Sequence, residues 1–358
     1  MSEPWFTRLL SVERKRAERS KRQFLLMLLH AQELLGGPER EELLPKIIAA
    51  LLSATRETDL SGWYEQRAVA GTILTEIPAD DLAKTVTTVH SKVNAALLAG
   101  LGPSRLNQVH ISFHAFPERP HAQSPGTHAP DLVLYPDLSL HNASKRLSRS
   151  LKRLIDVSGS LLALILLAPF LAIIGLVIKL TSEGPIFFRQ ERLGQYGAPF
   201  TFLKFRSMYT DTDAAIHREY ITQFITGSAE QHQSDDNGSI VYKLTRDPRV
   251  TSVGRFLRRT SLDELPQFLN VLRGEMSLVG PRPPIAYECD RYQTWHRRRL
   301  LEVKPGITGL WQVSGRSKLK FDDMVRLDLR YAKAWSLGLD LKILFRTPRA
   351  VLSKEGAY

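Results

Sequence analysis

A single cysteine, Cys289, stands in 358 residues. One thiol permits no intrachain disulfide and no cysteine metal cluster, and it favours a reducing, cytoplasm-facing location. An export signal is also missing: the opening MSEPWFTRLLSVERKRAERSKRQ has neither a short apolar core nor a small-residue cleavage site. The histidines His114, His121, His128 and His141 lack tight ligand spacing and read as solvated. No internal repeat is visible. Residues 157–178 contain no charged side chain at all, which sets this stretch apart from every other part of the chain.

What is present bounds the class. Hydrophobic residues at 43% and charged residues at 24% exclude a globally disordered chain. The length predicts two domains. A formal charge of +12 implies an anionic partner: nucleic acid, a phosphate-rich substrate or an anionic lipid surface.

The chargeless run is rich in Leu, Ile and Ala, and about 20 apolar residues match the hydrocarbon core of a bilayer. Pro169 lies at its middle, where a lost amide hydrogen and a ring clash kink a helix. Lys145, Arg146, Arg149, Lys152 and Arg153 precede the run, and Lys179, Arg189 and Arg192 follow it. Basic flanks on both sides remove the asymmetry that orients a span, so both ends are expected to face the cytoplasm. A re-entrant helix over about residues 154–180, broken at Pro169, satisfies these facts, provided protein covers the freed backbone groups. A buried helix of a soluble core is the alternative.

Residues 1–115 read as a small soluble α+β unit, with strands at 23–29 (QFLLMLL), 68–77 (AVAGTILTEI) and 108–115 (QVHISFHA) and helices at 41–54 and 80–98. That order predicts a ferredoxin-like layer. Residues 116–144, with five prolines among polar residues including His121 and His128, have linker composition. Residues 227–238 (GSAEQHQSDDNG) lack apolar periodicity and predict a mobile loop placed to act as a lid.

Three motifs carry chemistry. In Lys204-Phe205-Arg206-Ser207-Met208, after a strand-like Phe200-Thr201-Phe202-Leu203, alternation puts Lys204 and Arg206 on one face, suited to gripping a diphosphate. A polar strand face against solvent is the plain alternative. Thr260-Ser261-Leu262-Asp263-Glu264-Leu265-Pro266-Gln267 is a helix start, with Pro266 placing the cap near Asp263. Carboxylates at the positive end of a helix suit a Mg²⁺ ion, a diphosphate and a nucleophilic Asp263 together, whereas simple capping by Ser261, Glu264 or Asp263 is the alternative. In Gly280-Pro281-Arg282-Pro283-Pro284 the prolines fix the backbone and present Arg282 as a rigid fork, unless the segment is only a turn. Arg246, Arg249, Arg255, Arg258 and Arg259 gather positive charge just upstream of the carboxylates. Acidic residues among arginines suit a phosphoanion site better than a DNA groove.

Taken in order, Arg153 and Asp156, the apolar run, Gly184-Pro185, Gln190-Glu191-Arg192-Leu193-Gly194 and the three motifs closely resemble the monotopic phosphoglycosyl transferases, the bacterial sugar transferase family. The likeness covers residues 145–358, which form the expected catalytic domain, mostly helical with a few short strands. The tail Lys304-Pro305-Gly306-Ile307-Thr308-Gly309-Leu310-Trp311-Gln312-Val313-Ser314-Gly315-Arg316 resembles the undecaprenyl-phosphate sugar transferases of exopolysaccharide and O-antigen pathways. The resemblance implies a bacterial inner-membrane enzyme working at the cytoplasmic face. Asp263 would attack the β-phosphate of a UDP-sugar, expelling UMP, and undecaprenyl phosphate would then take the phosphosugar. Glu264 would complete the catalytic dyad, Asp263 would hold Mg²⁺, and Lys204, Arg206, Arg282, Arg192, Arg255, Arg258 and Gln267 would bind substrate. Many relatives break the re-entrant helix at Ser-Pro; here the pair is Ala168-Pro169.

The N-terminal unit, with Arg56-Glu57-Thr58-Asp59 before Trp63 and a following hairpin, resembles the diguanylate cyclase domain. Its Gly-Gly-Asp/Glu-Glu-Phe turn is missing, replaced by Tyr64-Glu65-Gln66-Arg67-Ala68, which implies a degenerate domain serving assembly or regulation. An unrelated α+β module is the alternative, and homodimerisation through this unit is expected. Near the C-terminus, Phe321, Met324, Val325, Leu327, Tyr331 and Trp335 follow a helical amphipathic pattern that fits either the headgroup layer or a protein core. Trp295-His296-Arg297-Arg298-Arg299 suits an anionic membrane surface or a solvated patch. The competing function is a membrane-anchored scaffold with an inactive transferase half. Nucleic-acid binding rests on charge alone, without a motif.

Overall fold

The computed structural model describes residues 1–37, 39–78, 81–118, 131–136, 146–210, 215–228, 232–233, 240–241 and 249–352. The described residues fall into two compact units, the first within 1–136 and the second within 146–352. His121, His128 and His141, most of the expected lid, and Arg246 to Pro248 lie outside the described residues.

The first unit runs α1 (Glu3–Ser20), β1 (Gln23–His30), α2 (Arg40–Ala54), β2 (Leu60–Glu65), β3 (Val69–Ile77), α3 (Leu82–Leu101) and β4 (His110–Phe116). One antiparallel sheet has the order β2-β3-β1-β4. Strand β1 is apolar without alternation because both its faces are covered. Met27 and Leu29 meet Leu43, Ile47, Val93 and Leu97 of α2 and α3. On the other face the Phe6 ring of α1 lies where a side chain at Gly71 would stand. Helix α1 and strand β2 are additions to the elements expected from sequence.

Two expectations change here. His114 is mostly buried, donating or accepting with Asp131 at one ring nitrogen and Ser112 at the other, so it is not solvated. Residues 131–136 are packed rather than linker-like: Leu134 and Tyr135 are buried, with the Arg14 guanidinium 4.3 Å over the Tyr135 ring.

The second unit opens with α4 (Arg146–Thr181), which runs unbroken through Pro169; the break expected there is absent, because one missing amide hydrogen does not end a helix whose other turns keep their bonds. Its length and composition suffice to cross a membrane, and only 17% of its most apolar window is buried within the protein. Leu161, Leu162, Ile165, Leu166, Ile173, Leu176 and Leu180 are exposed. That exposure excludes the core helix of a soluble protein and is compatible with a membrane-embedded helix. Ahead of Pro169 the helix is fastened by polar side chains; beyond it, Ile174 and Ile178 pack with Phe205 and Leu257.

Strands β5 (Phe187–Leu193) and β6 (Pro199–Phe205) pair antiparallel. Then come α5 (Ala215–Thr226), α6 (Ser252–Thr260), a 3₁₀ turn (Leu262–Glu264), α7 (Gln267–Arg273) and β7 (Ser277–Val279), which runs parallel to β8 (Gly306–Thr308). Gly280 and Gly306 meet backbone to backbone beside this pair, and a Cβ on either would overlap the other's main chain. Helices α8 (Phe321–Ala334) and α9 (Leu337–Leu352) close the unit. Tyr331, Trp335 and Ile343 join Phe202, Val271, Met276 and Val279 in one core. Helix α8 therefore packs on protein rather than lying among headgroups. His296 and Arg299 are likewise buried, at 1% and 4% exposure, so the Trp295–Arg299 cluster is not a free basic patch.

Candidate active site

Helix α6 ends at Ser261, whose φ of 56° turns the chain sharply into the 3₁₀ turn that carries Asp263 and Glu264. Helix α7 starts only after Pro266, and neither start is capped by a side chain. The cap expected near Asp263 is thus replaced by a tight turn.

Lys204 is brought to them by Asn270. This side chain is fully buried in α7, accepts from the Leu203 amide at 3.1 Å and donates to the Thr201 carbonyl at 2.7 Å, acting as a strand partner for β6. Lys204 Nζ then lies 2.7 Å from Glu264 Oε1 and 3.7 Å from Asp263 Oδ2. Burial would raise the Glu264 pKa, but the Lys204 ammonium, followed by Arg282 and Arg192, outweighs it and holds this carboxyl below its ordinary range. Arg316 also acts on Glu264 from a left-handed position at φ 48°. Lys204, Arg192, Arg282 and Arg316 stand against Asp263, Glu264 and Glu288, the last acting on Arg192, and the remaining positive surplus suits a phosphate-bearing ligand.

The other candidates separate. Arg282 is half-buried in its proline-framed loop, and its guanidinium makes no hydrogen bond or ion pair among the described residues. Arg192 is buried and committed: Nη1 donates to the Pro283 carbonyl at 2.8 Å, Nε and Nη2 donate to Gln190 Oε1, and the group sits 4.2 Å over the Phe202 ring. Burial and the Arg282 charge push its pKa down to about 10. Arg206 does not share Lys204's partners. It donates to the Ser182 and Glu183 carbonyls at 2.8 and 2.6 Å and so caps the end of α4. Strand β6 stops at Phe205, so alternation does not extend to Arg206. Gln267 is 2% exposed, and its amide nitrogen has no partner among the described residues. Arg255 is exposed and Arg258 half-buried on α6, the helix that feeds the dyad turn. Cys289 is buried and its thiol is pushed up to about 12, consistent with an unreactive side chain.

Two site residues escaped the sequence reading. Asn270 had a signal, a polar residue inside the apolar stretch from Phe268 to Leu272. Arg316 stood in a quoted motif without a role.

Whether the site fits Mg²⁺ follows from its donors. No group of three acidic, His or Cys side chains placed to hold a metal occurs among the described residues. Mg²⁺ is commonly held by one or two carboxylates plus substrate phosphates, and Asp263 with Glu264 meets that requirement.

Buried Asp263 beside a partly buried Glu264, a lysine close to both and an exposed apolar helix in one unit form a site suited to an anionic ligand and compatible with a membrane-embedded helix. Comparison with known proteins gives the family. Residues 147–354 match the family model described as bacterial sugar transferase, and the chain belongs to that family. It is 43% identical over 219 residues to the undecaprenyl-phosphate galactose phosphotransferase of Salmonella typhimurium, covering 61% of this chain and 44% of that one. It is 42% identical over 208 residues to the exopolysaccharide production protein ExoY of Sinorhizobium fredii, covering 58% and 88%. The chain thus spans less than half the length of the Salmonella relative. A DGC protein from Thermotoga maritima aligns in structure with 33% of this chain and 82% of its own at 18% identity, with a TM-score of 0.26.

Proposed function

We propose that this chain transfers a sugar-1-phosphate from a UDP-sugar to undecaprenyl phosphate at the cytoplasmic membrane, an initiating step of exopolysaccharide, capsule or O-antigen assembly. The observation that carries this is the Lys204 ammonium bonded to Glu264 and 3.7 Å from buried Asp263, in a site with surplus positive charge. The names of the relatives support the donor and acceptor classes.

In this reading an Asp263 carboxylate oxygen attacks the β-phosphorus. The bond from that phosphorus to the oxygen bridging the two phosphates breaks, and UMP leaves with that oxygen. A phosphate oxygen of undecaprenyl phosphate then attacks the same phosphorus and frees the Asp263 carboxylate. Each step is a displacement at phosphorus that needs alignment and charge neutralisation more than a strong base. Lys204 keeps Glu264 ionised and stands ready to meet the phosphate oxygens, and Arg282 and Arg316 face the remaining charge. Asp263, aided by Glu264, would hold Mg²⁺, which supplies further neutralisation of the diphosphate when bound.

Helix α4, which stays helical through Pro169, bends there to enter and leave the same leaflet, so that both of its ends face the cytoplasm. The order β2-β3-β1-β4, with α2 and α3 on one face, is read as a ferredoxin-like module of diguanylate cyclase ancestry that assembles two copies of the chain.

The test is UMP release from a panel of UDP-sugars with Mg²⁺ and undecaprenyl phosphate. Turnover that requires the lipid, and is abolished in Asp263→Ala and Asp263→Asn, supports the reaction and its nucleophile. No release from any sugar with well-folded protein overturns it in favour of an anchored scaffold.

A further inference from the structure

The segment Pro281-Arg282-Pro283-Pro284 has only one backbone N–H, that of Arg282. It cannot build a hydrogen-bonded turn from its own groups, so its carbonyls must find donors elsewhere or be left unpaired. All four do. The Pro281 carbonyl accepts from the Gly306 amide at 2.8 Å and the Pro284 carbonyl from the Leu193 amide at 2.9 Å. The Pro283 carbonyl accepts from Arg192 at 2.8 Å, and the Arg282 carbonyl from Arg299 Nη2 at 2.6 Å.

The last of these donors is the costly one. Arg299 is 4% exposed, and its counter-ion Asp328 on α8 is 1% exposed, with Nε and Oδ2 3.5 Å apart. A buried ion pair rarely adds stability over well-packed apolar side chains, but it fixes geometry, because either charge left alone is expensive. What this pair fixes is the backbone of the one loop residue whose guanidinium is unbonded among the described residues and acts electrostatically on Glu264.

We propose that Arg299, held by Asp328, is a positioning residue for Arg282, setting the backbone from which Arg282 meets the diphosphate of the substrate. The proposal rests on the sugar-nucleotide reading of the site. Arg299 touches no reacting atom; it acts through Arg282. The role would be invisible to a survey of residues lining the dyad, since the Arg299 side chain faces the loop's carbonyl side and the α8 core.

The chain in nanodiscs is titrated with UDP by calorimetry above pH 7, where the Asp328 carboxyl is ionised, as wild type, Arg282→Ala, Arg299→Lys and the double variant. Lys keeps the charge against Asp328 but cannot reproduce the guanidinium fork. The expected loss of UDP affinity is about 10- to 100-fold for Arg282→Ala and roughly 5- to 30-fold for Arg299→Lys, in line with single charge-assisted contacts. On the Arg282→Ala background, Arg299→Lys should cost less than about 2-fold more, because the residue it positions is gone. Losses that multiply overturn the positioning role, leaving Arg299 a general stabiliser of the fold. Asp328→Asn, of equal volume, repeats the cycle from the other partner should Arg299→Lys unfold, and independent losses there overturn the proposal equally. Absence of UDP binding by folded wild type overturns the sugar-nucleotide reading and the role of Arg282 with it.

Discussion

Arg153, in the polar head of the apolar helix, donates to the Val271 carbonyl at 2.6 Å and, with its second nitrogen, to the neighbouring Leu272 carbonyl at 2.8 Å. Helix α4 thus caps the far end of α7, whose near end carries the Asp263–Glu264 turn. Asp156 one turn on accepts from the Leu278 amide at 2.9 Å, and Lys152 donates to Asp340 at 2.7 Å. Three charged side chains on one stripe of α4 fasten α7, β7 and α9, so the site is built directly upon the long apolar helix.

Replacing Arg153 by Met should leave both carbonyls without their charged donor. The expected cost is about 3 kcal/mol, read as a fall of roughly 6–12 °C in the melting temperature in micelles. Lysine should recover only part, because one ammonium cannot span two carbonyls as a planar fork does. Equal stability of Met and wild type would mean that the helix C-terminus is satisfied by solvent.

Asn270 makes a sharper case, since it is fully buried and serves β6, Glu275 and α7 at once. Asn270→Ala should cost about 2–4 kcal/mol by stranding buried backbone groups. Asn270→Asp should be worse, because it faces the Thr201 carbonyl and the Glu275 carboxylate with acceptors only. Urea midpoints rank the three proteins, and an aspartate milder than alanine would contradict the bonding pattern.

These residues show why some of the site was legible in the sequence and some was not. The apolar helix and the dyad announced themselves by local chemistry: a chargeless run, and two carboxylates before a proline. Lys204 and Arg206 were paired by strand alternation, but the strand ends between them, and Arg206 turns to the Ser182 and Glu183 carbonyls. Whether an amphipathic helix faces lipid or core is likewise a tertiary matter. The pattern of α8 fits both, and only the packing of Tyr331 and Trp335 against Val279 and its neighbours decides. Arg299 read as surface charge because its partner, Asp328, lies on another element.

The Lys204–Glu264 pair should leave a signature in acid. Its carboxyl is held below the ordinary value, so the stability it contributes is complete above the unfolded pKa of 4.5 and is lost as pH falls through the lower folded value. Lys204→Met removes the main cause, and burial then raises the Glu264 pKa. The stability gap between wild type and variant should therefore be widest at neutral pH and close only once the pH has fallen through the lowered folded value. A gap that does not vary with pH would show the pair to be absent in solution.

Asp328 should behave in the opposite sense. Burial pushes its pKa up to about 7, with Arg299 only partly opposing. Between the unfolded value and pH 7 the folded state binds the extra proton, so this group makes stability fall as pH rises across that window. Asp328→Asn should lose that slope, whatever its absolute stability. Parallel pH profiles of wild type and variant from pH 4 to 7 would place the Asp328 carboxyl in its ordinary range.

The path of α4 through the bilayer is decided by its ends. A straight helix of 36 residues is about 54 Å long, more than enough to bring Leu147 and Leu180 to opposite faces. Yet polar contacts ahead of Pro169 and apolar contacts beyond it reach the same unit: Arg153 holds α7, while Ile178 packs with Phe205 and Leu257. Leu147→Cys and Leu180→Cys, both at positions 75% exposed, can be placed singly in a Cys289→Ser background. In inverted vesicles, an impermeant maleimide should label both if the helix bends at Pro169 and returns to the face it entered. Labelling of one end alone would make α4 a span and place the Pro169 ring inside a helix that crosses. Pro169→Ala should then discriminate further. Restoring the amide and removing the ring clash favours a straight helix by about 3 kcal/mol, so loss of labelling at one end in this variant alone would identify the proline as what holds the helix on one side.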